Sequence, residues 1–240
     1  MNKSFKITYE FCLSDDESVR FDFKICSSSL QISHDTVNPP SEWTRLSNKQ
    51  CTNCPLSVDQ IQNCPLALSL DPILQDMSKV ISYENISIKV TTNQRVISQN
   101  TTAQRGLSSL MGLVIATSGC PHTSFFKPMA RFHLPMAESS ETLYRAASMY
   151  LLSQYHRQVE GHTPDWNMEG LQNVYKNMQV VNRHIANRLR EVCEKDAMLN
   201  ALILLDLFTQ TVPPSIDEYM IEMKDWFSAY FDFSDLIEPK

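Results

Sequence analysis

In Phe5-Lys6-Ile7-Thr8-Tyr9-Glu10-Phe11-Cys12-Leu13 every odd position is apolar, and Val19, Phe21, Phe23 and Ile25 repeat the alternation against Arg20, Asp22 and Lys24. A period of two sends successive side chains to opposite faces of a strand, so the two runs predict an antiparallel hairpin with one buried and one wet face. Turning at Ser14-Asp15-Asp16-Glu17-Ser18, the hairpin is expected to pair Leu13 with Val19, with Cys12 near Arg20 and Cys26 near Lys6. Leu30 to Ile32 reads as a short third strand ahead of the Pro39-Pro40 break, and Trp43 to Leu70 as an irregular stretch. Ile86, Ile88 and Val90 alternate with Ser87 and Lys89, predicting a further strand that turns near Asn93 and returns through Val96 and Ile97.

Near residue 98 the period changes to that of a helix. Thr101 with Gln104 has the spacing of a capping box, and Ala103, Leu107, Leu110, Met111 and Val114 recur on one face as far as Ser118-Gly119. Pro121, Pro128 and Pro135 make Cys120 to Ala137 a loop. A second helix is expected from Ser140 to Val159, with Leu143, Ala147, Tyr150 and Leu151 inward. A third follows on Leu171, Val174, Met178, Val181, Ile185, Leu189 and Val192, which step by three and four throughout. Asp196 to Phe208 is apolar almost all round and reads as a central helix stopped by Pro213-Pro214. Ser215 and Glu218 then form the capping box of a last helix facing inward with Ile216, Tyr219, Met223, Phe227 and Tyr230. Asp206, alone among apolar neighbours, is expected to have a hydrogen-bond partner or an arginine such as Arg188 or Arg145. The fold class is therefore α+β. Residues 1–98 form an antiparallel β-rich region with a cysteine-rich loop, residues 99–240 a helical bundle, and the two are expected to pack as one unit.

Charge narrows the partners. Lys+Arg number 21 and Asp+Glu 27, a formal net charge of −6, with the acidic excess shared by both halves, so no basic face for nucleic acid is expected. The longest apolar run, Leu110 to Ala116, is far shorter than the roughly 20 residues that cross a bilayer. Met1-Asn2-Lys3 leads into the strand pattern without the apolar core of a secretory signal, so a cytoplasmic location is expected. Seven cysteines, an odd number, without a sign of export argue against disulfides.

The distinctive chemistry lies in Cys51-Thr-Asn-Cys54-Pro, Cys64-Pro and Gly119-Cys120-Pro-His122. A C-x2-C pair points two sulfurs of one tight loop at the same ion, and a third and fourth thiolate complete four-coordination. Proline after the ligand holds each loop open against helix formation and reduces the ordering entropy lost on binding. Cys51, Cys54, Cys64 and Cys120 are thus candidate metal ligands, with His122 and His133 as substitutes. Zn2+ is preferred because closed four-cysteine sites are its general structural use, and an iron–sulfur cluster is the alternative. The competing reading is that the same cysteines are small hydrophobes beside turn-forming prolines.

Lys127, Arg131 and Arg145 among Phe125, Phe126 and Phe132 form a possible anion-binding set, against the alternative of cations lying over an aromatic cluster. No G-x-S-x-G, H-E-x-x-H, P-loop or G-x-G-x-x-G is present, so standard hydrolase, kinase and dinucleotide chemistry has no anchor.

Gln50-Cys51-Thr-Asn-Cys54-Pro-Leu, Ser108-Ser-Leu-Met-Gly-Leu to Ser118-Gly-Cys-Pro-His122, and Arg131-Phe-His-Leu-Pro135 with Glu141-Thr-Leu-Tyr-Arg145 carry a resemblance over nearly the whole chain. The chain resembles an uncharacterised bacterial protein family of unknown function, which implies a single unit and brings no activity with it. The residues themselves support a cytoplasmic metal-binding protein with a Cys-ligated structural or sensory site, acting as a regulatory or interaction module on a protein partner or a small anionic ligand. The alternative is an iron–sulfur or metal-dependent enzyme using the same cluster with His122 or His133.

Overall fold

A computed structural model describes residues 4–14, 16–33 and 39–232 of the chain; Asp15 of the expected turn and the Met1-Asn2-Lys3 start lie outside them. Strands β1 (Ser4–Cys12), β2 (Ser18–Cys26), β3 (Asn85–Thr92) and β4 (Val96–Thr102) form one antiparallel sheet in the order β2-β1-β3-β4. One face buries Ile7, Tyr9, Phe11, Phe21, Phe23, Ile25, Ile86, Ile88 and Val90. The other carries the pairs Lys6–Asp22 at 3.1 Å, Arg20–Glu10 at 2.9 Å and Lys89–Glu10 at 3.3 Å. Exposed pairs contribute under about 1 kcal/mol each, so the apolar face is what stabilises the sheet.

The hairpin register differs from expectation by two residues: Phe11, not Leu13, stands opposite Val19, and Cys12 stands opposite Ser18. The loop is tighter because Leu13 and Ser14 both donate backbone N–H to Glu17 O, at 2.8 and 3.3 Å. A two-residue slip leaves every side chain on its own face, so alternation alone does not choose between the registers. Cys26 lies opposite Ser4, and the cysteines are free. Instead of a third strand, Ile32 makes a single bridge to Ile25.

The irregular stretch ends earlier than expected, at helix α1 (Pro65–Met77). Pro65 in the first turn needs no hydrogen-bond partner, and Leu66, Leu70, Ile73, Leu74 and Met77 form a buried stripe. Helix α2 (Ala103–Thr117) follows β4 directly. The expected Thr101–Gln104 box does not form, since Thr101 still belongs to β4; the Ala103 and Gln104 amides donate to Glu84 O at 2.9 Å and Ser82 O at 3.0 Å. In the segment expected as a loop, Lys127–Arg131 forms the short α3 with Pro128 in its first turn. Next come α4 (Ser139–Val159) and α5 (Glu169–Val192), close to their expected bounds.

Helix α6 (Ala197–Met223) runs through Pro213 and Pro214, so the expected break and the second capping box are both absent. Proline at 213 releases the carbonyl of residue 209 four positions earlier. Gln179 Nε2 of α5 donates to that oxygen at 2.9 Å, and Ser215 Oγ donates back to Thr211 O at 2.8 Å instead of capping a new helix. Val212 and Ile216 are buried on either side of the prolines, so packing holds the helix continuous. Of the expected inner face, Ile216 and Met223 are buried, while Phe227 and Tyr230 (in α7, Ala229–Asp232) are exposed.

The main core joins the buried sheet face to α1, α2, α5 and α6, and a smaller cluster of Leu143, Ala147, Leu171, Tyr175, Val212 and Ile216 joins α4 to α5 and α6. Among the described residues no helix is long and apolar enough to cross a membrane.

Two glycines of α2 have different surroundings. A Cβ on Gly106 meets Phe11, Ile86 and Ile88 at 3.1, 3.2 and 3.3 Å, which explains the glycine as a close approach to the sheet. A Cβ on Gly112 meets only Leu205 Cδ2, at 3.8 Å. Gly112→Ala is expected to raise stability by about 0.5–1 kcal/mol through helix propensity. Gly106→Ala is expected to lower it by about 1 kcal/mol, because overpacking against three buried side chains outweighs the same gain. Urea denaturation of both variants checks the opposite signs.

Candidate functional site

The cysteine loop is built on a backbone pinch. Leu46 N–H donates to Gln62 O at 2.9 Å and Cys64 N–H to Thr44 O at 2.8 Å, around an antiparallel bridge between Arg45 and Asn63. Above the pinch the chain turns at Cys51-Thr-Asn-Cys54, where Cys54 N–H donates to Cys51 O at 3.0 Å. Cys64 immediately precedes the first turn of α1, where the helix dipole favours negative charge. Asp71 of α1 holds the near side in place by accepting from Trp43 Nε1 at 2.7 Å and Ser41 N–H at 3.1 Å.

The fourth thiol arrives from α2. Gly119 takes a φ of +88°, the left-handed conformation that ends helices, and turns the chain so that Cys120 lies against the loop. His122 Nε2 donates to Asn53 O at 2.6 Å, tying the two segments together. Thr123 N–H donates to Cys120 O at 3.1 Å.

The four sulfurs are electrostatic neighbours. Burial pushes the Cys51 thiol up to about 12, with Cys64, Cys120 and Cys54 adding to the rise. Burial raises the Cys120 thiol too; the backbone N–H groups of His122 and Thr123 oppose the shift, and Cys64 and Cys54 add to it. Arg188 of α5 acts on Cys51 in the other direction. Its side chain is 1% exposed, and its guanidinium donates to Trp43 O at 3.3 Å, Arg45 O at 3.0 Å and Leu46 O at 3.3 Å. No carboxylate pairs with it among the described residues, and its Nε and Asn53 Oδ1 are buried without partners. As the side chains stand, no described group of three or more His, Cys, Asp or Glu is arranged to hold a metal ion.

The other candidates are placed elsewhere. His133 lies half-buried over the sheet, with Nε2 at the Tyr9 hydroxyl, which also bonds Ser109 Oγ at 3.0 Å. Ser109 lies eight residues, about 12 Å of helix, before the end of α2, which separates His133 from Cys120 and leaves His122 as the histidine beside the thiols. Burial holds Tyr9 protonated and His133 neutral, the histidine falling to about 3 with Arg145 adding to the effect. Of the three cations of the expected anion set, only Arg145 lines the cavity beside His133. Arg131 lies over the Phe5 and Phe132 rings at 4.7 and 5.4 Å, and Lys127 opens α3. Asp206 accepts from Asn182, Thr209 and Gln210 side chains at 3.2, 3.3 and 2.6 Å, the hydrogen-bonded outcome, with no arginine partner among the described residues.

Sequence reasoning missed the role of Arg188, although a signal exists: Val181, Ile185, Arg188 and Val192 step by four, three and four, placing a cation on an apolar stripe. Tyr175 hides the same way between Leu171 and Met178.

Sheet, helices and thiol cluster define an α+β protein built on one main core, with a cysteine-rich loop at the seam between its two halves. Residues 7–228 match the family described as Domain of unknown function (DUF6901), and the chain belongs to that family. No curated protein and no solved structure matches it.

His133 sets a pH dependence. Its ordinary value of 6.5 falls to about 3 in the folded protein, so between these limits the unfolded chain binds more protons. The stabilisation it contributes is complete above its ordinary value and declines as pH falls toward the folded one. His133→Gln keeps a polar partner for Tyr9 and removes the titration. Its urea midpoint is expected to fall less than that of wild type between about pH 7.5 and about pH 5.

Proposed function

We propose that the chain is a metal-binding protein in which Cys51, Cys54, Cys64 and Cys120 ligate one structural or sensory ion, Zn2+ by preference, and that it serves as a cytoplasmic regulatory or interaction module. The observation that carries this reading is a buried cation, Arg188, beside thiols delivered by three separate segments and with no carboxylate partner among the described residues. Neutral thiols do little for a buried guanidinium. Four thiolates around Zn2+ carry a net charge of −2, which Arg188 partly offsets. Four sulfur donors suit Zn2+ or an iron–sulfur cluster and not a hard, oxygen-seeking cation.

Ligation requires the thiols to lose their protons and turn onto a common ion. Because burial raises Cys51 and Cys120, the free thiols keep their protons at neutral pH, and binding releases them. Metal affinity is therefore expected to rise steeply with pH. An ion joining Cys64 to Cys120 also closes a loop of ~56 residues, a stabilisation on the order of 4 kcal/mol by analogy with a disulfide.

Metal analysis and a visible spectrum of protein purified without oxygen are the test. Zinc at about one ion per chain and no visible band is expected, and a chelator is expected to lower the melting temperature of the whole chain. Strong visible absorption with iron and sulfide identifies the alternative cluster. Protein that takes up neither metal, or a Cys120→Ser variant with full metal content and wild-type melting, overturns the four-cysteine site.

A further inference from the structure

A cavity of about 490 Å3 lies between α2, α4, α5, α6 and the segment around α3, apart from the thiol cluster. Its size is in the range of small-molecule sites, and most of its wall is apolar, including Leu113, Met129, Leu205 and Phe208.

Three observations give it a ligand. The first is Gly112, which lines it from the middle of α2. A glycine there costs about 1 kcal/mol relative to alanine, and unlike Gly106 it is required by no neighbour, since the only atom near its missing Cβ is Leu205 Cδ2 at 3.8 Å. What the glycine leaves is room in the cavity. The second is Arg145, a half-buried guanidinium that donates through Nη2 to Met129 O at 2.7 Å and Phe132 O at 2.9 Å. It has no ion-pair partner among the described residues, and burial weakens its hold on the proton. The third is Tyr175, whose ring is buried against Phe126 and Phe208 and whose hydroxyl makes no hydrogen bond with any described residue. Arg145 lowers the pKa of Tyr175 against the rise from burial, so guanidinium and phenol share one neighbourhood.

A cation and an unused hydroxyl at a mostly apolar cavity select a ligand with one anionic end and an apolar body. One cation sets the charge: His133 in the same wall is held neutral, and Arg105 is exposed to water. A phosphate dianion would be undercompensated there. We propose that this cavity binds an apolar monocarboxylate, its carboxylate on Arg145 and the Tyr175 hydroxyl and its hydrocarbon tail in the space beside Gly112. Planar guanidinium and carboxylate match in shape, and a charge-assisted pair out of water is stronger than a neutral one.

Calorimetric titration and thermal melting with octanoate, and with octanamide as its neutral counterpart, test the proposal. Octanoate is expected to raise the melting temperature and to bind at least about tenfold more tightly than octanamide. Arg145→Gln is expected to abolish that preference while still binding octanamide. Gly112→Leu fills the cavity from a helix position where leucine is well tolerated, so it is expected to keep or raise the melting temperature and to lose both ligands. Equal binding of octanoate and octanamide to wild type, no binding of either, or unchanged octanoate affinity in Gly112→Leu overturns the proposal. If Arg145→Gln does not fold, the wild-type comparison and Gly112→Leu decide it.

Discussion

Arg188 carries a full positive charge into the interior, and the surrounding chain is arranged to receive it. Stranding a guanidinium among apolar side chains costs several kcal/mol, so its donors must be met by fixed acceptors. The carbonyls of Trp43, Arg45 and Leu46 supply them. Those carbonyls belong to the backbone pinch that holds Cys64 and lifts the Cys51–Cys54 turn, so one side chain of α5 sets the conformation of the cysteine loop. Arg188 spreads its bonds to the three carbonyls over two nitrogens of a planar fork, Nη1 and Nη2, where lysine would offer one compact nitrogen. Around this point the loop is fastened to α5 again by Lys49 to Asn187 O at 2.9 Å, Asn53 to Asn177 Oδ1 at 3.1 Å and His184 to Lys49 O at 3.2 Å.

The same dependence of one half on the other runs through the core. Helix α2 grows out of β4 with no linker and lies between the sheet and α6. Its first amides are satisfied by the turn at residues 82–84, and that turn is held by Asp196 at the start of α6, which accepts from Ser82 N–H and Oγ, both at 2.9 Å. Each half therefore supplies hydrogen-bond partners that the other lacks. The thiol cluster and the cavity occupy different stretches of this frame, the first past the end of α2 and the second along its middle.

Much of the architecture was legible because burial follows period. The alternation in residues 5–25 and 86–97 marks the sheet, and the three-and-four stepping of residues 171–192 marks α5. C-x2-C followed by two Cys-Pro steps is what marks the candidate thiols in the sequence. Arg188 was harder to read, because a charge on an apolar stripe looks like an interruption until its acceptors, more than 140 residues away, are known. The cavity was invisible for a related reason. It is a volume left by Gly112, and the same glycine in the same helix pattern as Gly106 has the opposite meaning once the neighbouring atoms are in place.

By itself the sequence determined the α+β class, the buried face of each strand and the main helices, because these follow from whether apolar side chains recur every two residues or every three to four. Tertiary structure decided what depends on distant atoms. The hairpin register rests on the tightness of its loop, since a shift of two leaves the pattern unchanged. Helix α6 continues through Pro213-Pro214 because Gln179 takes the oxygen released at residue 209 and the flanking Val212 and Ile216 are buried. His122, not His133, became the neighbour of the thiols because Asn53 accepts from it while Tyr9 engages the other over the sheet. In each case local preference is worth a few kcal/mol at most, and a single well-placed acceptor or packed surface from elsewhere in the chain outweighs it.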